Sequence, residues 1–136
     1  MRYMLDTNIL VYVLNARPHH EAIIARFDGE SSEDLVVSSI TLAELRYGIE
    51  KSQRRESNRR ALHRVLRALN VAAFDAKAAE AYGSVRATLE ATGKPVGPLD
   101  TLIAAHALAL DLTLVTSNQR EFSRIRGLRV ESWIAG

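Results

Sequence analysis

The chain has 136 residues, of which 47% are hydrophobic and 25% charged, a composition that excludes a disordered chain and suits one domain, residues 1–136, with a real core. It has no cysteine, which excludes disulfides, thiolate metal sites and a cysteine nucleophile, and its net charge is only +2. No run approaches the roughly 18 apolar residues of a membrane span, so we expect a cytoplasmic protein without a signal peptide.

Short apolar runs alternate with helical patterns in the first half of the chain. The runs Tyr3–Leu5 and Leu35–Ser38 predict two buried strands, and residues 9–14 predict a helix after the first strand. Pro18 suits the first turn of a second helix, whose apolar residues are Ala22, Ile23, Ile24 and Phe27. Thr41 is predicted to open a third helix, whose core residues are Leu42, Leu45 and Ile49.

The alternation continues in the second half of the chain. A basic helix is predicted there, with a buried stripe of Leu62, Val65, Leu66 and Leu69. A strand at 71–74 follows, and Asp75 caps a helix that runs through residue 89 and ends before Gly93 and Pro95. Asp100 begins a helix rich in alanine and leucine, and the last two strands are predicted at 112–115 and 128–133.

The alternation of strands and helices predicts an α/β fold, a three-layer α/β/α domain whose mainly parallel central sheet is flanked by helices. Ligands of such sheets bind beyond the carboxyl ends of the strands. Asp6 follows the first strand, Glu44 lies in the first turn of the helix after the second, and Asn118 follows the strand that ends at 115. Asp100 begins a helix after a loop, so its place at the same edge is an inference.

Each of these three acids also has a purely structural explanation. Thr41 and Glu44 have the spacing of a capping box, in which Glu44 accepts the backbone N–H of Thr41. Asp100 precedes an apolar helix and is a candidate N-cap. Asp6 can close the first strand as a turn residue, its two polar neighbours making local backbone bonds.

Taken together, the three acids indicate a metal site. Two carboxylates at about 4 Å repel by about 4 kcal/mol at an effective dielectric constant of about 20. A fold tolerates three at one edge only with raised pKa values, nearby cations or a bound metal. Oxygen ligands without cysteine or a histidine pair favour Mg²⁺ or Mn²⁺ over Zn²⁺. Such ions activate water and neutralise charge on a phosphate, which indicates phosphodiester hydrolysis.

Four stretches carry these residues in order along the chain. They are 4–8 (MLDTN), 39–49 (SITLAELRYGI), 100–107 (DTLIAAHA) and 114–122 (LVTSNQREF). In these stretches the chain resembles PIN-domain ribonucleases, and more narrowly the VapC-type toxins of bacterial type II toxin–antitoxin systems. The resemblance covers essentially the whole chain, and its second stretch is the most specific.

The resemblance implies which residues form the active site. Asp6, Glu44 and Asp100 would hold a Mg²⁺ or Mn²⁺ ion, with Asp6 and Asp100 as direct ligands and Glu44 bound directly or through water. Thr7 and Thr116 stand where polar groups usually support such a site.

Asn118 departs from the family pattern, because many members have a fourth aspartate at this position. An asparagine keeps an oxygen ligand and a hydrogen-bond donor but loses a charge, so a second metal should bind more weakly here. Glu121 is a candidate to replace part of that charge.

The function that the resemblance implies is a metal-dependent endoribonuclease toxin, with tRNA as a candidate substrate and with 5′-phosphate and 3′-hydroxyl product ends. The implied partners are a second copy of the chain and a small antitoxin whose basic or aromatic tail fills the acidic groove, while DNA is reached only through the antitoxin.

A second hypothesis, which Asn118 keeps open, is a catalytically weak PIN domain that binds its antitoxin and represses its own operon. A phosphotransfer receiver or phosphatase is disfavoured, because an acid two residues after Asp6 and a lysine after a late strand are both missing.

Residues 51–67 form a basic segment with seven Lys and Arg residues against one acid. The planar fork of arginine matches a phosphate group well. The candidate RNA-binding residues are therefore Arg54, Arg59, Arg60 and Arg64. The alternative explanation is a solvated helix face.

The histidines and the tryptophan are weaker candidates for function. The four histidines, which lack the i, i+4 spacing of a helical metal pair, are His19, His20, His63 and His106. We expect His106 to pack or to lie at the surface, and Trp133 to lie in the core or in a dimer interface.

Overall fold

The structure, a computed structural model, describes residues 1–15 and 20–134. Its elements in chain order are β1 Tyr3–Leu5, α1 Thr7–Leu14, α2 His20–Gly29, β2 Leu35–Ser38, α3 Ser39–Lys51, α4 Arg55–Leu66, β3 Asn70–Ala72, α5 Ala76–Ala91, α6 Pro98–Ala109, β4 Thr113–Val115, α7 Gln119–Phe122 and β5 Val130–Glu131. A 3₁₀ turn, Ser32–Asp34, precedes β2. Pro18, where a helix was predicted to start, lies outside the described residues, as does His19.

β1 is the central strand of a five-stranded parallel sheet with the order β3-β2-β1-β4-β5. Met4 pairs with Val36 on one side and with Leu114 on the other. The chain first builds outward from β1 through β2 and β3 and then returns to add β4 and β5 on the opposite side. This reversal opens a crevice beyond the carboxyl ends of β1 and β4, where ligands of such sheets bind. The predicted α/β class with a mainly parallel sheet is confirmed.

Helices cover both faces of the sheet because its strands are apolar on both faces. Successive side chains of a strand point to opposite faces. Leu5 accordingly packs in a cluster with residues of α1 to α4, including Leu62, whereas Met4 packs in a second cluster with residues of α5 to α7, including Ile103. In the part of the chain that the structure describes, every helix is too short or too polar to cross a membrane.

The observed caps confirm one predicted helix start and correct another. Asp75 caps α5 as predicted, its carboxylate accepting the N–H of Ala78 at 3.0 Å. Thr41 does not open α3, because the helix already begins at Ser39. The cap is Ser38, whose hydroxyl oxygen accepts the N–H of Ile40 at 3.0 Å.

The start of α6 also differs from the prediction. The helix begins at Pro98, so Asp100 is its third residue and not its N-cap. Proline suits the first helical position because its fixed φ is helical and its missing N–H has no partner there. Gly97 takes the N-cap position.

Three strands are shorter than predicted, since β4 begins at Thr113 and not at residue 112. β3 ends at Ala72 because the next residues leave the sheet, and the N–H of Phe74 bonds the Ser39 hydroxyl instead. β5 spans two residues because it pairs with β4, which has only three. Leu69 lies beyond the end of α4, although it is buried as expected.

Leu62 anchors the basic helix α4 to the core and is fully buried. Leu62→Ala should lower the free energy of unfolding by about 2 to 5 kcal/mol, because it leaves a cavity beneath the helix. Urea unfolding followed by circular dichroism measures this change. The control is His63→Ala on the exposed side of the same helix, with an expected change below about 0.5 kcal/mol. Equal losses in the two variants would contradict the docking of α4 through Leu62.

Candidate active site

The crevice beyond β1 and β4 has a polar residue on each side. Asp6 directly follows β1 and Thr116 directly follows β4, and the Asp6 N–H still bonds the Val115 carbonyl at 2.9 Å. The two side chains meet, because the Thr116 hydroxyl donates to Asp6 Oδ2 at 2.7 Å. This buried hydrogen bond joins the ends of two strands that are far apart in the sequence.

Asp6 is almost wholly buried, with 2% of its surface exposed. It caps α1, its Oδ1 accepting the Thr7 N–H at 2.8 Å. Burial raises the pKa of Asp6, the hydrogen bonds from Thr116 and Thr7 oppose that rise, and the charge of Glu44 adds to it. The explanation of Asp6 as a structural turn residue is therefore incomplete, since a simple cap needs neither this burial nor a second acid nearby.

Thr116 organises the loop that follows β4. Its buried hydroxyl accepts the Asn118 N–H at 3.0 Å and the Asn8 side-chain amide at 3.3 Å while it donates to Asp6. The Asn8 amide oxygen accepts the Ser117 N–H at 3.2 Å. Asn8 was not among the predicted site residues, although its position two residues after Asp6 was a usable signal.

Glu44 is the sixth residue of α3 and lies in its second turn, not its first. Its Oε1 accepts the Thr7 hydroxyl at 2.7 Å, so the predicted capping box with Thr41 is wrong. The buried Thr41 hydroxyl lies 3.1 Å from that of Thr7. Because Thr7 has one hydroxyl proton and a carboxylate can only accept, that proton serves Glu44 and Thr41 donates to Thr7. Thr41 thus orients Glu44 through Thr7, a role that the sequence analysis missed.

Asp100 lies in the first turn of α6 and is half-buried, and its carboxylate forms no hydrogen bond or ion pair with a described residue. Burial raises the pKa of Asp100 to about 6, helped by the negative charges of Asp6, Glu121 and Glu44. Among the described residues, none of these four carboxylates has an ion-pair partner. The positive charge of Arg124 helps to lower the pKa of Glu121. The crevice therefore collects negative charge that the described residues compensate only in part.

The donor chemistry of this crevice fits a hard divalent cation. Its acids offer carboxylate oxygens, which Mg²⁺ and Mn²⁺ prefer, and a cation would relieve the repulsion that raises the pKa of Asp100. As the side chains stand, no group of three or more Asp, Glu, His or Cys residues within 1–15 and 20–134 is arranged to hold a metal ion. The case for a metal here thus rests on donor chemistry and charge.

Glu121 and Asn118 form a pair at the rim of the crevice. Glu121 Oε1 accepts the Gly97 N–H at 3.0 Å, and its Oε2 accepts the Asn118 side-chain amide at 2.9 Å. These two bonds, that of Asn118 first, lower the pKa of Glu121. Asn118 therefore uses its amide group to hold another acid, and Gly97 joins the residues that the sequence analysis did not single out.

The candidate RNA-binding arginines, one at the N-cap of α4 and three within it, differ in how their charge is used. Arg59 forms ion pairs with Glu56 and with Glu50 of α3, which weakens its candidacy. Glu50 lies one residue before the basic segment, so the count of acids within residues 51–67 does not include it. The other three candidates are exposed and form no ion pair with a described residue; they are Arg54, Arg60 and Arg64.

His106 and Trp133 both lie in the core. Nδ1 of the buried His106 lies 2.8 Å from Ser38 Oγ, its ring meets Phe74 edge to face, and burial lowers its pKa. Trp133 packs edge to face against Tyr3. These contacts explain both residues by packing.

Comparison with known proteins gives consistent matches over the whole chain. The model of the PIN domain matches residues 3–128. The chain is 41% identical to the tRNA(fMet)-specific endonuclease VapC of Shigella flexneri over 133 residues, with 98% of each protein covered. It superposes on DNA-bound VapBC from Salmonella typhimurium with a TM-score of 0.92 and 43% identity, covering 98% of each chain. For VapBC2 from Rickettsia felis bound to a promoter DNA fragment, the TM-score is 0.87 and the identity 41%, covering 98% of this chain and 99% of the other.

The raised pKa of Asp100 should make the metal-free protein less stable as the pH rises. Folding raises this pKa from 3.8 to about 6, so the stabilisation from its proton is complete below the first value and lost as the pH passes the second. Asp100→Asn removes this titration and keeps the side-chain shape. We expect it to be more stable than the wild type at about pH 7, with a flatter pH dependence between about pH 4 and 7. Urea unfolding in EDTA across this range measures both.

The control for this experiment is Glu80→Gln, which removes an exposed carboxylate of α5. Its pH profile should follow that of the wild type. An Asp100→Asn profile that also followed the wild type would mean that Asp100 does not titrate in this window.

Proposed function

The chain belongs to the PIN-domain family and is a VapC-type toxin, and on this premise we propose that it is a metal-dependent endoribonuclease whose active site is formed by Asp6, Glu44 and Asp100. One observation carries the proposal: Asp100 is a half-buried carboxylate, without a partner among the described residues, beside three other acids. Acids that are held together in a cleft with perturbed pKa values are typical of functional sites. The crevice also lies at the carboxyl ends of parallel strands, where ligands of such sheets bind.

Within this site we assign Asp6 and Asp100 as direct ligands of Mg²⁺ or Mn²⁺, with Glu44 bound directly or through water. When bound, such an ion activates water and neutralises charge on the scissile phosphate. The residues of the chain orient the carboxylates, since Thr116 holds Asp6 and Thr7 holds Glu44 through hydrogen bonds of 2.7 Å. A carboxylate oxygen has two acceptor sites, so each bond leaves the oxygen one site for a cation.

The substrate class that we assign is tRNA. A relative that is 41% identical over 98% of this chain is named a tRNA(fMet)-specific endonuclease, which makes the initiator tRNA the first RNA to test. An enzyme that acts on tRNA works in the cytoplasm, where we place this protein.

The protein partners that we assign are a second copy of the chain and a small antitoxin. Similar structures from Salmonella typhimurium and Rickettsia felis are VapBC assemblies bound to DNA, and this chain would likewise reach DNA through its antitoxin. A cleft of about 390 Å³ offers a site for such a partner, with Val11, Leu14 and Ile49 in its walls and with Thr7 and Glu44 also lining it. A peptide segment bound there would contact Glu44 and obstruct the crevice.

The purified protein should cut a total tRNA pool into discrete fragments in Mg²⁺ or Mn²⁺ and not in EDTA. Asp100→Asn should slow cleavage by roughly 100-fold or more, because it removes a charged metal ligand while keeping its shape. Gel analysis gives the rate, and sequencing of the fragment ends identifies the target.

The matched control for this cleavage assay is Asp111→Asn. It makes the same charge change at a highly exposed residue, whose φ of 57° suits asparagine, and it should cleave at the wild-type rate. If folded, antitoxin-free wild type cut no tRNA with either metal, the catalytically weak, antitoxin-binding PIN domain would become the better explanation.

The arginines at the N-cap and within α4 that have no ion pair to a described residue should contribute to RNA binding through phosphate contacts. Replacing Arg54, Arg60 and Arg64 by glutamine, in an Asp100→Asn background, should reduce the slope of log affinity against log salt by about 2 to 3. Fluorescence anisotropy with labelled tRNA measures the slope. The charge-matched control replaces Lys77, Lys94 and Arg126, exposed cations of other segments that likewise form no ion pair with a described residue. An unchanged slope would restore the interpretation of α4 as a solvated helix face.

A further inference from the structure

We propose that Asn118 and Glu121 are a matched pair of positioning residues that hold the start of α6, and with it Asp100, against Asp6. The proposal deepens the proposed function and rests on it for the role of Asp100. In this arrangement Glu121 acts through its hydrogen bonds and not as a metal ligand. Its two oxygens instead connect the loop after β4 to the loop before α6.

The start of α6 has no side-chain cap. Gly97 has no side chain with which to cap the helix, and Pro98 has no N–H to be capped. The Gly97 N–H is held by Glu121, and the Gly97 carbonyl accepts both the N–H and the hydroxyl of Thr101 at 2.8 Å. Gly97 is thus fixed from both sides, and Asp100 lies within the turn that these bonds close.

Hydrogen bonds of the loop after β4 connect Asn118 to Asp6. The Asn118 N–H donates to the Thr116 hydroxyl, which donates to Asp6 Oδ2. The Asn118 side chain then donates to Glu121. A continuous series of hydrogen bonds therefore runs from Asp6 to the Gly97 backbone at the start of the Asp100 helix.

The contact between Asn118 and Glu121 pairs a donor with an acceptor. A carboxylate can only accept hydrogen bonds, so Oε2 of Glu121 requires a donor at residue 118. The amide of Asn118 supplies this donor at 2.9 Å, whereas an aspartate would place a second carboxylate at the same contact. Because like charges in contact repel, Asp at 118 and Glu at 121 exclude one another in this geometry. The identity of residue 118 is therefore coupled to Glu121.

Variants of the pair test this coupling by tRNA cleavage. Asn118→Asp should lower the cleavage rate about 10-fold or more, because misplacing a catalytic group by about 1 Å has effects of this size. The double variant Asn118→Asp with Glu121→Gln should recover most of that loss, since the Gln amide can donate to the new carboxylate while its oxygen keeps Gly97. Glu121→Gln alone should lose less than Glu121→Ala, because the Asn118 amide can turn its oxygen towards the Gln donor.

Backbone hydrogen exchange provides a readout that needs neither metal nor activity. In the metal-free protein, NMR should show the Gly97 N–H exchanging at least about 10-fold faster in Glu121→Ala and Asn118→Asp than in the wild type. Exchange should return towards the wild-type rate in the double variant. The Ala79 N–H, which bonds the Asp75 carbonyl at the start of α5, is the reference amide and should not change.

Binding of Mn²⁺ separates a positioning residue from a ligand. If Glu121 positions α6, Glu121→Gln should bind Mn²⁺ within about threefold of the wild type, whereas loss of a ligating charge should weaken binding by about 10-fold or more. Unchanged Gly97 exchange in Glu121→Ala, or a double variant no better than Asn118→Asp, would overturn the proposal. The exchange experiment stands even if the wild type proves inactive, so failure of the pair and failure of the nuclease assignment remain distinguishable.

Discussion

The hydrogen bond from the Thr116 hydroxyl to Asp6 Oδ2 is the interaction on which the rest of the site depends. A carboxylate that is 2% exposed stays ionised only if hydrogen-bond donors replace the water it has lost. The Thr7 N–H supplies one donor and Thr116 the other, and the second is available only because β1 and β4 are neighbours in the sheet. The strand order is therefore a precondition of the acidic crevice as well as a description of the fold.

The repulsion among the acids has a consequence for stability. The charges of Asp6, Glu121 and Glu44 oppose ionisation of Asp100, so the crevice destabilises the metal-free fold at neutral pH. Two apolar clusters, one on each face of the sheet, provide the stability that tolerates this strain. A cation that bound only the folded state would add stability by mass action, which couples the proposed activity to the stability of the protein.

Local patterns explain which features could be predicted from the sequence. The strand Leu35–Ser38 and the cap Asp75 follow from neighbouring residues, and the gathering of acids at one edge follows from the alternation of strands and helices. The role of Glu44 could not be predicted in this way, because its spacing fits a capping box and the deciding contact is the distant Thr7 hydroxyl. The partner of Arg59 on the preceding helix likewise leaves no periodic signal in a single sequence.

The identity of residue 118 is better understood from the charge balance of the crevice than from the count of possible ligands. Negative charge favours a cation only while the acids remain ionised, and the pKa of Asp100 already stands at about 6. A further carboxylate beside Glu121, whose charge acts on Asp100, would raise that pKa and leave less of Asp100 ionised at neutral pH. A neutral amide avoids this effect and supplies the donor that Glu121 needs, so Glu121 can hold the backbone of Gly97 without a further acid in the crevice.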